Sequence, residues 1–305
     1  MKSIKQRFVD IFLLFMTVLP FILGIVLRVL TKPASEGVSI SGAQVFFVIP
    51  MPLQDLPITE AQVNSWIVII SLTFLCLYLT HGIQKIPSSR RQLVAELIVE
   101  KATELVKTNM GERFLGFAPF VAAIMALSAF SSLSSMLGLF PPTTDLNIIA
   151  GWAILVFALI THYKLKGGAW NYVKDLAAPV PILLPINLIG ELSTPIAMSF
   201  RHYGNVLSGV VISALVATGL SGGSALLFGW LPGFLGDIPF LQIGIPAVLS
   251  LYLDIFSGCL QAFIFAILTM LYISNGFPGE AYEERMRKKA ARAAAKRAAR
   301  EGKGA

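Results

Sequence analysis

Six stretches of this 305-residue chain are apolar over about the length a helix needs to cross the hydrocarbon of a bilayer, roughly 20 residues. They fall at 9–27, 66–79 with an extension to 83, 117–140, 148–163, 187–220 and 242–274. Runs of this length and number have bilayer, not water, as their solvent. The rest of the chain does not offset them: 55% of residues are hydrophobic and only 13% charged, against roughly 25% charged in soluble domains. Mean hydropathy is +0.74. Lys2, Lys5 and Arg7 precede the first run, as in a signal peptide. That run is longer than a signal's apolar region and no A-x-A cleavage pattern follows it, so it reads as a retained span.

Turn chemistry pairs the runs. Pro141, Pro142, Thr143, Thr144 and Asp145 separate the third from the fourth and cannot continue a helix, which predicts a hairpin. Gly222, Gly223, Pro232, Gly233 and Pro239 join the last two, which predicts a second. Roughly 32 residues rise about 48 Å in a helix, against about 30 Å of hydrocarbon, so these two helices must tilt or bend. Pro195 and Pro246 offer places to kink. The expected fold is an all-α integral membrane protein with about six membrane helices, the last two long, tilted and paired in a hairpin. It divides into an extra N-terminal helix with an outer-side segment (1–65), a core membrane domain (66–276) and a basic tail (277–305).

Lys and Arg set the orientation. The segments 33–65, 141–147 and 221–241 contain neither, whereas the alternate segments carry Lys85, Arg90, Arg91, Lys101, Lys107, Arg113, Lys164, Lys166 and Lys174. Both termini are therefore expected on the cytoplasmic side. Residues 90–108 alternate apolar and charged positions as an amphipathic surface helix does. The tail helix, with Lys288, Lys289, Arg292, Lys296, Arg297 and Arg300, suits a lipid surface or an acidic partner, and no nucleic-acid partner is expected. Cys76 and Cys259 lie in apolar runs as small packing residues. No metal-ligand spacing, phosphate loop or catalytic triad order is present, so neither a metal nor a cofactor nor a soluble catalytic site is expected.

The chemistry is carried by charge inside the spans, where it is costly and points to function. Arg201 lies about fourteen residues into the fifth run and cannot shed its proton. Steps of three and four place Asn187, Glu191, Thr194, Met198, Arg201, Asn205 and Ser208 on one face, polar except for Met198. Ser250, Asp254, Ser257 and Gln261 make a second stripe on the last run. Two roles are open to Asp254: a buried salt bridge to Arg201, or an ionisable group on an aqueous route.

Four segments carry a family resemblance. PIAMSFRHYGNVLSG at 195–209 resembles the part of ATP synthase subunit a where a single Arg precedes a Gly-Asn pair, and LQAFIFAILTMLYIS at 260–274 resembles that family's last helix, with a Gln facing the Arg. PPTTDLN at 141–147 and PINLIGE at 185–191 are similar to family segments too. The match runs over roughly 66–274. Departures exist: His202 and Tyr203 stand where Leu-Phe is frequent, Thr194 where Lys is, and Val210 with Asp254 where a carboxylate and a His are often paired. Asp254 is left alone in that role.

The resemblance implies a non-catalytic stator subunit of a rotary F-type ATP synthase, lodged in a bacterial cytoplasmic membrane against a ring of c subunits, with peripheral-stalk b subunits as further partners. It would carry protons or Na⁺ through two offset half-channels. Arg201, Asn205, Asp254 and Gln261 are then the ion-translocation residues. Asp145 and Asn147 fall at the outer mouth beside Asp254, and Glu191 and Asn187 on the inner path. Ser208, Ser250 and Ser257 are further lining candidates. Two rivals remain at this point: a secondary anion transporter using Arg201 as counter-charge, and a scaffold held by an Arg201–Asp254 bridge.

Overall fold

The computed structural model describes residues 4–31, 42–52, 54–85, 89–230 and 238–301. Among them six helices are long and apolar enough to cross a membrane. Large apolar side chains such as Phe8, Ile11, Leu30, Ile154, Ile182 and Leu226 stand on the outside. Ser71, Ser128, Ser131 and Thr143 are buried within. Polar groups packed within beneath an apolar exterior fit a bundle whose outer solvent is lipid.

The chain forms two compact units, one up to Ile149 with Phe200–Ala266, the other Ala150–Ser199 with Ile267–Ala305. In the first, α1 (Ile4–Thr31) packs on α2 (Glu60–Thr80), the Gly24 position lying against Ile67. The helix ends are tied by charge. At one end Asp10 accepts from Arg91 at 2.6 Å and contacts His81 at 3.0 Å, with the Arg91 guanidinium over the Tyr78 ring. At the other, Arg28 lies 3.6 Å from Glu60. Thr59 caps α2 by accepting from Gln62, and Ser89 caps the amphipathic α3 (Arg90–Met110) by accepting from Gln92. Gly111, at φ 86°, ends α3 in a backbone region where other residues are strained.

A short 3₁₀ segment (Glu112–Phe117) leads into α4 (Ala118–Leu133). The turn 142–144 is itself 3₁₀, after which α5 runs Leu146–Leu165. The last run is broken: α8 (Ile245–Ser250), a π-helical stretch (Leu251–Ser257) and α9 (Gly258–Gly276). Gly258 lets α9 close on α4, since a Cβ there would lie 2.8 Å from that of Ser132.

The second unit holds most of α5, the short α6 (Ala169–Leu176), the first third of α7 (Leu184–Phe228), the end of α9 and the tail helix α10 (Gly279–Glu301). Val156, Ile160, Met270 and Ile273 form its apolar interior. Phe277 meets the rings of Tyr163 and Tyr282, and Arg285 donates to the Lys166 carbonyl.

The helical, membrane-spanning architecture stands as expected, with three differences of detail. The segment between the first two membrane helices contains an antiparallel hairpin, β1 (Val45–Ile49) with β2 (Leu56–Thr59), pairing Ile49 with Leu56 and Val45 with Thr59. The second membrane helix begins at Glu60, where the Thr59 cap starts it, not at Trp66. The irregularity in the last helix falls at 251–257 and not at Pro246, because Pro246 occupies the second position of α8, where a missing N–H costs nothing. Pro232 and Gly233 of the expected connection lie outside the described residues.

Candidate functional site

Arg201 stands on α7, an apolar helix of 45 residues. Its side chain is exposed on the protein. An exposed arginine does not fit the buried Arg201–Asp254 bridge of the scaffold reading. Asn205 and Ser208, one and two turns on, lie on the same face, with Asn205 exposed. Asn205 donates from Nδ2 to Ser257 Oγ at 2.8 Å, and Ser208 returns its hydroxyl to the Gly204 carbonyl.

Of the stripe on the last run, Ser257 thus meets the Arg201 face directly. Asp254 is half-buried in the π-helical stretch, and Gln261 is 4% exposed on α9. The Ser250 side chain lies outside the described residues. Further pairings between the two runs, Gln242 to the Ala217 carbonyl at 2.6 Å and Ser224 to the Ile238 carbonyl, advance along one as they retreat along the other. His202 turns away from Arg201 and is buried, its Nε2 3.4 Å from Ser128 Oγ and its ring edge-on to Phe265.

A cavity of about 670 Å³ opens at the Asp145 end of the first unit, walled by Arg28, Asp145, Tyr203, Leu207 and Val210. Asp145 also starts α5, its Oδ1 accepting from the Asn147 N–H at 2.9 Å and its carbonyl from Ile149. It is both a turn residue and a lining residue. Asn147 is exposed beside it.

In the second unit Glu191 lies seven residues inside α7, away from the helix start that a dipole role requires. Its Oε1 accepts from Lys164 at 2.5 Å and its Oε2 from the Tyr172 hydroxyl. Pro195, one turn on, brings no N–H to the Glu191 carbonyl. Asn187 donates to the carbonyls of Leu176 and Ala178 and so fixes the entry into α7. All of these except Pro195 and Ala178 line a cavity of about 690 Å³. Burial first, then the bond to Glu191, pushes the Tyr172 phenol up to about 12.

In the sequence Lys164 stands out only as a topology charge, and Tyr172 not at all. The signal for the lysine lies in chemistry: a carboxylate one to two turns inside an apolar helix needs a cation, and Lys164 closes the preceding span.

Together these features define a class: a multi-pass membrane protein that keeps a permanent cation exposed on an apolar helix and has a polar chamber in each of its two units. The family model described as ATP synthase A chain matches residues 62–274, and the chain belongs to that family, the ion-conducting stator subunits of F-type ATP synthases. It is 30% identical to ATP synthase subunit a of Moorella thermoacetica over 73% of its own length and 93% of that protein. It is 29% identical to ATP synthase subunit a of Legionella pneumophila, over 72% and 87%. A third relative, from Propionigenium modestum, is an ATP synthase subunit a described as sodium ion specific, 26% identical over 80% and 88%. The anion-transporter alternative falls with this membership.

Proposed function

We propose that the chain carries ions past a ring of c subunits through two offset half-channels, with Arg201 between them. The observation that carries this is the exposed Arg201 on an apolar helix. An arginine at the centre of a membrane helix costs at least about 3 kcal/mol when it faces lipid. A ring carboxylate brought to the same face removes that cost, and the arginine in turn favours the carboxylate's ionised form, so the ion is released. Past Arg201 the carboxylate faces lipid again and must reload. A fixed cation also repels any ion attempting to run directly between the half-channels.

Asn205, held to Ser257, keeps the Arg201 face polar and ordered. Asp145 and Asn147, with the cavity running to Tyr203 and Val210, form the outer entrance, and Asp254 belongs to that half. Glu191, Asn187 and the chamber they line form the inner half. The transported species is a proton or Na⁺. Charge asymmetry supports termini in the cytoplasm, the membrane is that of a bacterial cell, and peripheral-stalk b subunits complete the stator.

The face is tested by Asn205→Cys in a Cys76→Ser, Cys259→Ser background, combined with single cysteines on the ring helices next to their carboxylate. A disulfide between the two subunits in the assembled complex is expected. Its absence at every ring position, with assembly intact, overturns the placement of this face against the ring.

A further inference from the structure

Glu191 stands where two cavities meet. Lys164, Glu191, Thr194, Asn275 and Gly276 line both the chamber of about 690 Å³ and a second of about 220 Å³. The larger is completed by polar groups at the lysine-rich end, among them Tyr172, Asp175 and Asn187. The smaller continues past Phe157, Ile160 and Tyr272, each about one to two turns deeper along α5 or α9 than Lys164 or Gly276. The route between the chambers therefore passes the Lys164–Glu191 pair.

Both oxygens of that carboxylate are engaged, one by the Lys164 ammonium at 2.5 Å and the other by the Tyr172 hydroxyl. The pair is largely shielded, with side-chain exposures of 24% for Lys164 and 17% for Glu191. A cation moving between the chambers meets a carboxylate whose charge is already matched by a tethered ammonium. The two compete for the same oxygens, and a bare carboxylate with no counter-ion is disfavoured at this depth. Gly276 belongs to the same arrangement: a Cβ at its position would lie 2.9 Å from Lys164 Cε and 3.2 Å from Cγ, so the glycine makes room for the lysine stem.

We propose that Lys164, Glu191 and Tyr172 form a gate in the inner half-channel, in which Lys164 holds the ion's place on Glu191 until an arriving cation displaces it. Lys164 acts through Glu191 and is a positioning residue. Tyr172 stays a donor at any working pH and steadies the carboxylate while the ammonium leaves. The proposal rests on the half-channel reading above and adds to it the identity of the gate.

The test is ATP-driven pumping by the whole complex in inverted vesicles, with assembly confirmed, measured against external pH at fixed Na⁺ and against Na⁺ at fixed pH. Losing one charge-assisted competitor on Glu191 predicts that Lys164→Gln lowers the half-saturating concentration of the driving ion about tenfold. Lys164→Arg keeps the wild-type value, and adding Glu191→Gln to Lys164→Gln abolishes the shift. Gly276→Ala, which crowds the lysine without removing it, shifts half-saturation in the same direction and carries the test if Lys164→Gln does not assemble. A lower maximal rate with unchanged half-saturation reduces Lys164 to a structural role and overturns the gate. Arg201→Ala, measured alongside, separates the two claims: normal pumping there overturns the half-channel reading itself, whatever Lys164 does.

Discussion

Each charged residue inside the spans is placed by what will stabilise it. Glu191 finds Lys164 and Tyr172 within its own unit, whereas Arg201 is exposed. Arg201 was legible in the sequence because a guanidinium deep in an apolar run costs too much to be incidental. Lys164 was not, because its partner lies 27 residues away and only the fold brings them together. Tyr172 gives a direct check. Its phenol is raised from an ordinary value of 10.0 to about 12, so the stabilisation it contributes is whole below pH 10 and is lost as pH rises through 12. Ultraviolet titration of wild type against Tyr172→Phe is expected to show one phenolate transition missing near pH 12; a difference centred near pH 10 contradicts the shielded bond to Glu191.

Among the elements, the helices were legible from apolar length, and the amphipathic α3 from its alternating charge. The β-hairpin was not: VFFVI and LPIT lack a clean polar alternation, and beyond their paired residues Glu60 donates its N–H to the Gln44 carbonyl at the start of α2. The π-helical stretch was equally hidden, since periodicity assigns faces on the assumption of a regular helix. Two elements offer tests of packing. Gly258→Val places methyl groups where Ser132 stands and is expected to destabilise the α4–α9 contact by about 1–3 kcal/mol. A lower melting temperature of the detergent-solubilised subunit or complex checks this, and an unchanged one contradicts it. Asp10→Leu leaves Arg91, 11% exposed in its side chain, without its carboxylate, a loss of about 3–5 kcal/mol for a buried pair. Limited proteolysis near 81–90 is expected to accelerate in that variant, and an unaltered cleavage pattern contradicts the tie between α1 and α3.

For the whole molecule, the segments 33–65, 141–147 and 221–241 carry no lysine or arginine while the alternate segments carry many, which predicts six crossings with both termini on one side. Impermeant thiol reagents are expected to label Lys288→Cys only in inverted vesicles and Asn147→Cys only in right-side-out ones, in a background without Cys76 and Cys259. Labelling of both from one side contradicts six crossings. The central claim concerns Arg201, and it is tested most directly by ATP-driven ion pumping and passive leak in vesicles holding the assembled complex, wild type against Arg201→Ala. The account predicts that pumping is abolished while the complex still assembles, and that passive leak rises once the cation between the half-channels is gone. Near-normal pumping by assembled Arg201→Ala would contradict it.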